Sequence, residues 1–288
     1  MENVMRNNLL HSYRKFPIEV RIENTNLCNA HCVMCPRERM TRKNGVMEMR
    51  LFRNIIDQCA EAGCVRKLVI QGFGEPLLDP NFCEKISYAK ERKIPIVYTV
   101  TNGSLLTSEI SEQIVKSGLD KMKVSFYGIT RREYERIHKG LDFEVVRKNI
   151  VQLLEIKKRL LSNKPKLRIQ YIGNKRKFFK FALQWIFRTS IGFSRFHNYG
   201  NGRNYVKVRV SKENRQCKIV KKPIMQILWN GDVVPCCYDF DGKIILGNLA
   251  RATIHDVWNG RNYTNFRIAH RTCKLQNFPL CLLCDKLR

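Results

Sequence analysis

Strand-like and helix-like segments alternate along most of this sequence, and the alternation constrains the fold more than any other feature. The predicted strands are short, apolar and rich in β-branched residues, whereas the predicted helices place apolar residues on one face. Strands are predicted at 18–22, 67–72, 94–100, 121–128 and 166–173, with a sixth before 196, and helices at 49–63, 81–92, 107–118, 142–162 and 177–190. Such repeats predict an α/β fold with a parallel sheet and right-handed crossovers. Five or six units are too few for a closed eight-fold barrel.

The pattern changes after about residue 210, which predicts a second and smaller unit. The stretch 224–239 is typical of a β-hairpin, because apolar runs flank Asn230-Gly231. A short helix is predicted near 253–268. We therefore expect three parts, an N-terminal extension at 1–15, a core domain at 16–210 and a C-terminal domain at 211–288.

Twelve cysteines raise the question of metal binding. The sequence begins without an apolar secretion signal and contains no apolar run of about 18 residues, so we expect a cytoplasmic protein with reduced thiols. Cys28, Cys32 and Cys35 lie together in LCNAHCVMCP, with no fourth cysteine before Cys59. Thiolates prefer zinc and iron–sulfur clusters. A cubane cluster on three cysteines would leave one iron open for chemistry; a zinc knuckle or simple packing are the alternatives.

Four motifs resemble, in order, those of the radical S-adenosylmethionine (SAM) superfamily. They are CNAHCVMC (28–35), GFGEP (72–76), TNGSLL (101–106) and KVSFYG (123–128). The first is similar to the family's C-x3-C-x2-C loop and the second to its glycine-rich segment. The resemblance implies a partial (β/α)6 barrel with a [4Fe–4S] cluster on Cys28, Cys32 and Cys35. The open iron would bind SAM, whose reductive cleavage yields a 5′-deoxyadenosyl radical that abstracts a hydrogen atom.

The same resemblance implies which residues contact SAM. The implied contacts are Met34, Gly72, Gly74, Glu75, Asn102, Ser125 and Lys139. Met34 would lie beside the adenine and Ser125 beside the ribose, and Lys139 is the candidate partner of the carboxylate. Phe73 separates the paired glycines, and His138-Lys139 stands where many relatives carry Ile-Arg. The resemblance names no catalytic acid or base.

The tail contains a second set of cysteines. The stretch 223–260, followed by C-x2-C, resembles the SPASM/twitch extension of radical SAM enzymes, in its shorter form with one cluster. This implies an auxiliary [4Fe–4S] cluster on Cys217, Cys236, Cys281 and Cys284. Cys237 is the alternative to Cys236, because adjacent strand residues face opposite ways. Structural zinc is the alternative metal. Packing roles are expected for Cys59, Cys64, Cys83 and Cys273.

The formal charge of +28 is extreme and unevenly distributed. The segment 147–222 holds 22 Lys and Arg but only Glu155 and Glu213, a net charge of +20. A field of this size attracts anions, although a merely solvated basic surface explains it equally well. Basic and aromatic residues mix at 175–205, as in nucleic-acid platforms and interfacial helices. Their helical spacing instead favours a sheet-facing stripe, made of Phe178, Phe181, Ala182, Trp185 and Ile186.

These features favour a small-molecule radical SAM enzyme. We expect hydrogen abstraction from an anionic substrate, such as a nucleotide-, phosphate- or lipid-linked sugar, with a flavodoxin or ferredoxin as electron donor. A peptide-modifying SPASM maturase is one alternative. A nucleic-acid-binding protein with structural zinc is another, and peripheral membrane contact is compatible with the composition. Substrate-side candidates follow the sixth strand, namely Arg195, His197, Asn198, Tyr199 and Arg203.

Overall fold

The computed structural model describes residues 15–199, 202–205, 207, 217 and 219–287. Most of the expected extension at 1–15 lies outside these residues, as does most of the expected boundary near 205–215. None of the helices in the described ranges is both long and apolar enough to cross a bilayer.

Eleven strands and nine α-helices build the described part of the chain. The strands are β1 Glu19–Ile22, β2 His31–Cys32, β3 Lys67–Ile70, β4 Ile96–Thr101, β5 Lys121–Ser125, β6 His138–Lys139, β7 Lys166–Ile172, β8 Ser190–Ser194, β9 Ile224–Ile227, β10 Asp232–Val234 and β11 Gly247–Asn248. The helices are α1 Met49–Glu61, α2 Phe82–Glu91, α3 Ser108–Lys116, α4 Arg131–Ile137, α5 Phe143–Arg159, α6 Lys175–Trp185, α7 Ile254–Asn259, α8 Arg261–Arg271 and α9 Pro279–Leu282. Short 3-10 helices follow at Pro36–Arg39 and Pro76–Leu78.

Six parallel strands form an open, partial barrel, which confirms the predicted fold class. The sheet order is β11-β10-β9-β1-β3-β4-β5-β7-β8. All pairs from β9 to β8 are parallel, and α1, α2, α3, α5 and α6 lie within the crossovers between the core strands. The predicted tail hairpin is the antiparallel pair β9 and β10, and β9 extends the core sheet by pairing with β1. The tail therefore shares one sheet with the core.

Alternation along the strands separates the hydrophobic core from the interior of the partial barrel. On β5, Met122 and Val124 are fully buried in the core, whereas Lys123 and Ser125 line an interior cavity. Successive side chains of a strand point to opposite faces of the sheet, which explains this division. Side chains cap two of the helices: Thr107 accepts from the Ile110 amide and Asp142 from the Val145 amide. On β5 the interior thus receives a charged and a polar residue, Lys123 and Ser125.

The stripe predicted on α6 is only partly correct. Phe181 and Trp185 are buried and Phe178 packs against the core, but Ile186 is 53% exposed. Eight residues separate Phe178 from Ile186, which places Ile186 about 80° around a helix of 3.6 residues per turn. Ile186 therefore lies at the edge of the buried stripe, just beyond the end of α6, and points outward.

Candidate active site

A cavity of about 730 Å³ opens at the carboxyl ends of the barrel strands, within the range of about 300–1,000 Å³ typical of ligand sites. Nine of the residues predicted to bind the loop cluster or SAM line it: Cys28, Cys32, Met34, Cys35, Gly72, Gly74, Glu75, Asn102 and Ser125. The tail completes the lining with Gln226, Leu228, Val234, Cys236, Cys237, Tyr238, Asp239, Asp285 and Lys286. Lys139 is not among the lining residues and is exposed on β6, opposite His31. The fold thus gathers the predicted SAM contacts with that exception.

The cysteine loop is fixed by backbone pairing and by one arginine. Cys32 pairs with His138 in the β2–β6 ribbon, and the Cys35 amide donates to the Cys32 carbonyl at 3.0 Å. Arg203 donates to the carbonyl oxygens of Val33, at 3.1 Å, and of Cys35. Arg203 and Asn198 were substrate-side candidates, but neither lines the cavity, whereas Arg195, His197 and Tyr199 do. Arg203 instead binds the backbone of the cysteine loop without lining the cavity.

His138 donates a hydrogen bond to a cysteine of this loop. The Tyr127 amide donates to Nε2 of His138 at 3.2 Å, so Nδ1 carries the ring proton. Nδ1 lies 3.1 Å from the Sγ of Cys32 and donates to it. Burial lowers the pKa of His138 to about 3, so the ring is neutral. Sequence reasoning noted His138 only as a departure from the common Ile-Arg pair and missed this contact.

The three loop thiols influence one another. Burial raises the pKa of Cys28 and raises that of Cys35 to about 11. Burial also raises the pKa of Cys32, with further contributions from Cys35 and Cys28. A bound metal would reverse this effect, because metal ligation stabilises the thiolate. In the described ranges no three Cys, His, Asp or Glu side chains surround a single-ion site; a cubane cluster gives each thiolate its own iron and does not require convergence on one ion.

Close backbone approach explains the glycines after β3. A Cβ on Gly72 would collide with the Glu23 side chain, and a Cβ on Gly74 would collide with the carbonyl oxygens of Thr25 and Leu27. The absence of Cβ atoms therefore lets this segment pack directly against the chain that leads into the cysteine loop. Phe73, the departure between the two glycines, has its ring 6.0 Å from that of Phe240 in the tail.

Glu75 links two strand ends beside the cavity. Its Oε1 accepts from the Thr101 hydroxyl at 2.5 Å and from the Leu77 amide at 3.3 Å, and its Oε2 accepts from the Asn102 amide at 2.7 Å. Burial raises the pKa of Glu75 to about 7, against the lowering effect of these donors. The Asn102 side chain donates to Asn29 at 2.9 Å. Glu75 and Asn102 thus brace the cysteine loop, while Oε2 retains capacity to accept a further donor.

The two adjacent tail cysteines point in different directions. Arg21 Nη1 donates to the Sγ of Cys237 at 3.7 Å. Burial raises the pKa of Cys236, with added effects from Cys237, Cys281 and Cys284. Burial also raises the pKa of Cys281 to about 12 and of Cys284 to about 11, and Cys217 contributes to both. Cys236 therefore lies near Cys281 and Cys284, which in turn lie near Cys217, whereas Cys237 turns towards β1.

Tail and core are joined next to the cysteine loop. Asp241 accepts from the Thr41 amide at 2.5 Å, the Thr41 hydroxyl at 2.8 Å and the Arg42 amide at 3.2 Å. Arg42 donates to the Phe240 carbonyl at 2.9 Å and pairs with Glu23 through two 2.6 Å bonds. This network ties the tail to the segment that follows the cysteine loop and, through Glu23, reaches the cavity wall.

Comparison with known proteins agrees with this geometry. Residues 22–163 match the family model for the radical SAM superfamily, and residues 217–285 match SPASM, an iron–sulfur cluster-binding domain. A Pyrococcus furiosus tungsten-containing aldehyde ferredoxin oxidoreductase cofactor-modifying protein is 24% identical over 92% of this chain and 86% of its own. A Niallia circulans SAM-dependent 2-deoxy-scyllo-inosamine dehydrogenase is 23% identical over 93% and 92%.

Solved structures show the same fold. BtrN in complex with AdoMet and 2-DOIA superposes with a TM-score of 0.68 at 19% identity, covering 95% of this chain and 94% of its own. Streptococcus suis SuiB bound to precursor peptide SuiA gives 0.73 at 16% identity, covering 91% and 69%. The order of motifs, the open barrel and the two matched families agree. The chain therefore belongs to the radical SAM superfamily, as its motifs predicted, and is an enzyme that uses SAM, a [4Fe–4S] cluster and the auxiliary iron–sulfur centre of a SPASM domain.

Proposed function

We propose that the chain dehydrogenates a small anionic molecule, with Cys28, Cys32 and Cys35 holding the SAM-cleaving cluster. That cluster and SAM, when bound, would supply a 5′-deoxyadenosyl radical that removes one hydrogen atom from the substrate; the second electron would pass to the auxiliary cluster and the proton to water. The three thiols fit a [4Fe–4S] cluster with one open iron, because they belong to one loop and face a cavity that can hold a ligand. The carrying observation is that loop thiols and tail thiols border the same cavity. The whole substrate reaction can therefore occur between the two domains.

Several cavity residues suit the parts of SAM. Met34 is 3% exposed and gives an apolar wall next to Cys35, which suits adenine. The Tyr127 hydroxyl donates to the Ser125 hydroxyl at 3.0 Å, which orients Ser125 for a ribose oxygen. The Gly72–Glu75 segment suits the amino group, since Glu75 has an oxygen with accepting capacity. Lys139 has no such place and is left out of the proposed set.

The acidic groups of the cavity each have a partner within the protein. Glu23 pairs with Arg42, and Glu75 accepts three hydrogen bonds. Asp239 accepts from two backbone amides. Asp285 accepts from the Asn198 amide at 3.0 Å. Each of these carboxylates therefore has at least one partner within the protein, but Oε2 of Glu75 can accept a further donor and Oδ1 of Asp285 is buried without a hydrogen-bond partner in the described ranges.

The basic groups of the cavity are less well compensated. Lys123 forms no hydrogen bond or ion pair with any residue in the described ranges, and Arg21 shares Glu19 with Lys67. Burial, followed by the neighbouring charges of Arg168 and Arg21, lowers the pKa of Lys123. An anionic group beside Lys123 would relieve both effects. We therefore assign a phosphate or carboxylate of the substrate to the Lys123 side of the cavity.

Dehydrogenation is supported by the relative that acts as a 2-deoxy-scyllo-inosamine dehydrogenase, since the similarity spans both domains. Enzymes of this superfamily need a reductant, and we propose a flavodoxin or ferredoxin for that role. Membership of an enzyme superfamily replaces the alternative of a non-enzymatic nucleic-acid-binding protein. Likeness to SuiB concerns the fold alone and does not favour a peptide substrate.

Changing Lys123 to methionine tests the substrate class. Reconstituted protein is incubated with SAM, dithionite and a panel of nucleotide sugars, free sugars, peptides and single-stranded RNA, and 5′-deoxyadenosine is measured. We expect phosphorylated members alone to stimulate its formation. Lys123→Met should raise the KM of such a member about tenfold or more, because a bond between charged groups contributes about 1.5–3 kcal/mol. SAM cleavage without substrate should stay unchanged.

Lys121→Met is the matched control, since Lys121 is exposed at the other end of β5 and does not line the cavity. Its KM should remain within about twofold, because surface charges contribute little. Stimulation by free sugars, peptides or RNA in place of phosphorylated compounds would contradict the proposed substrate class.

Replacing His138 tests whether its ring N–H donates a hydrogen bond to a cluster ligand, the Sγ of Cys32. Hydrogen bonds to cluster sulfurs help to set the reduction potential. His138→Leu should make the loop cluster harder to reduce, because the Cys32 thiolate loses its donor. His138→Gln, which keeps an N–H donor, should recover part of the change. The midpoint potential is read by electron paramagnetic resonance in a Cys281→Ala/Cys284→Ala background. An unchanged potential in His138→Leu would show that the ring only fills space.

A further inference from the structure

Helix α6 carries two apolar faces, of which one is uncovered. Phe178, Phe181 and Trp185 pack on the sheet. The other side presents Phe179 (70% exposed) and Leu183 (57%), and the turn after the helix presents Ile186 (53%) and Phe187 (94%). These four residues are here called the outer α6 face: Phe179 and Leu183 are one helical turn apart, and Ile186 and Phe187 follow directly after the helix. Ten large apolar side chains are exposed across the described ranges, and four of them lie in these nine positions.

Positive charge surrounds the outer α6 face. Lys175, Arg176, Lys180 and Arg188 are exposed, and none forms an ion pair with a described residue. The chain contains no Asp or Glu at 156–212. A basic surface that only contacts solvent does not explain the exposed phenylalanines. An interface with an uncharged protein does not explain the positive charge. The combination points to a partner that is both anionic and apolar.

We propose that the outer α6 face docks on the surface of a membrane that contains anionic phospholipid. Helices that lie in the lipid interface combine Phe and Leu on one side with Lys and Arg around them. Anionic headgroups attract such cations. With 11 residues, α6 is far too short to span a bilayer, so it would lie along the surface. None of its residues lines the cavity, so this inference is independent of the proposed function.

Vesicle flotation of the reconstituted protein tests the proposal. Vesicles of phosphatidylcholine alone are compared with vesicles that also contain phosphatidylglycerol, at low and physiological salt. We expect binding only to the anionic vesicles, weakened by salt because exposed charges are screened. Two sets of substitutions should each weaken binding about tenfold or more, by removing apolar contact or attraction to headgroups. They are Phe179→Gln/Phe187→Gln and Lys175→Gln/Arg176→Gln/Lys180→Gln.

Matched controls distinguish binding by the outer α6 face from nonspecific binding by other exposed charged or apolar residues. Equal numbers of exposed residues are changed elsewhere, in Val145→Gln/Ile245→Gln and in Arg50→Gln/Arg66→Gln/Lys93→Gln. Both controls should bind anionic vesicles like the unchanged protein, and all variants should cleave SAM normally. No binding to anionic vesicles, or equal losses in the control variants, would overturn the proposal. So would self-association or RNA binding that the Phe179→Gln/Phe187→Gln change abolishes while vesicle binding persists.

Discussion

Alanine at Cys28, Cys32 or Cys35 is expected to reduce SAM cleavage to background while the protein still folds. Each thiol is a proposed ligand of the one cluster that leaves an iron open, so the loss of any one ligand removes the reaction. The loop is held by β2–β6 pairing and by Arg203, neither of which uses a thiol. The change in melting temperature should therefore be small. Production of 5′-deoxyadenosine under dithionite, together with thermal unfolding, measures both effects.

Cys64→Ala is the matched control, because Cys64 is partly buried but does not line the cavity. It should keep the iron content and the SAM cleavage of the unchanged protein. If one of the three loop variants cleaves SAM at the normal rate, the proposed ligand set is wrong.

Changing Cys236 to alanine should remove the auxiliary cluster, whereas the same change at the neighbouring Cys237 should not. Cys236 groups with Cys281 and Cys284, while Cys237 faces Arg21. Iron should fall from about eight to about four atoms per chain in Cys236→Ala, as two cubanes become one. The double change Cys281→Ala/Cys284→Ala should give the same loss. Iron and sulfide analysis after anaerobic reconstitution provides the measurement.

SAM cleavage without substrate should survive in these tail variants, because the loop cluster is separate. Turnover of the true substrate should be lost. Cys237→Ala should retain about eight iron atoms. Loss of iron in Cys237→Ala but not in Cys236→Ala would reverse the ligand assignment. Zinc in place of iron in the tail of the unchanged protein would contradict the auxiliary cluster itself.

Local patterns were sufficient to predict the order of strands and helices. Strand residues such as Val20 and Ile22 alternate with polar neighbours, and caps such as Thr107 and Asp142 act within their own turn. The cysteine loop could also be recognised, because its spacing lies within eight residues. Each of these signals depends on residues that are close in sequence, and therefore survives without knowledge of the fold.

Contacts between distant segments could not be predicted in this way. The bond from His138 to Cys32 joins residues 106 positions apart, and that from Arg203 to Val33 joins residues 170 apart. The exposure of Lys139 follows from its place on the β2–β6 ribbon. Ile186 lies at the edge of a stripe whose buried limit is set by the sheet beneath α6. Only the assembled fold decides which of these side chains reaches the cavity.

Electron paramagnetic resonance of the loop cluster alone tests the central claim most directly. The Cys281→Ala/Cys284→Ala protein is reconstituted, reduced with dithionite and recorded with and without SAM. We expect a [4Fe–4S] signal that changes on addition of SAM, because one iron has no cysteine and can bind it. The signal should vanish when Cys32→Ala is added. A cluster signal that does not change on addition of SAM would contradict the claim that the loop cluster has an open iron. So would a loop that holds zinc and gives no signal.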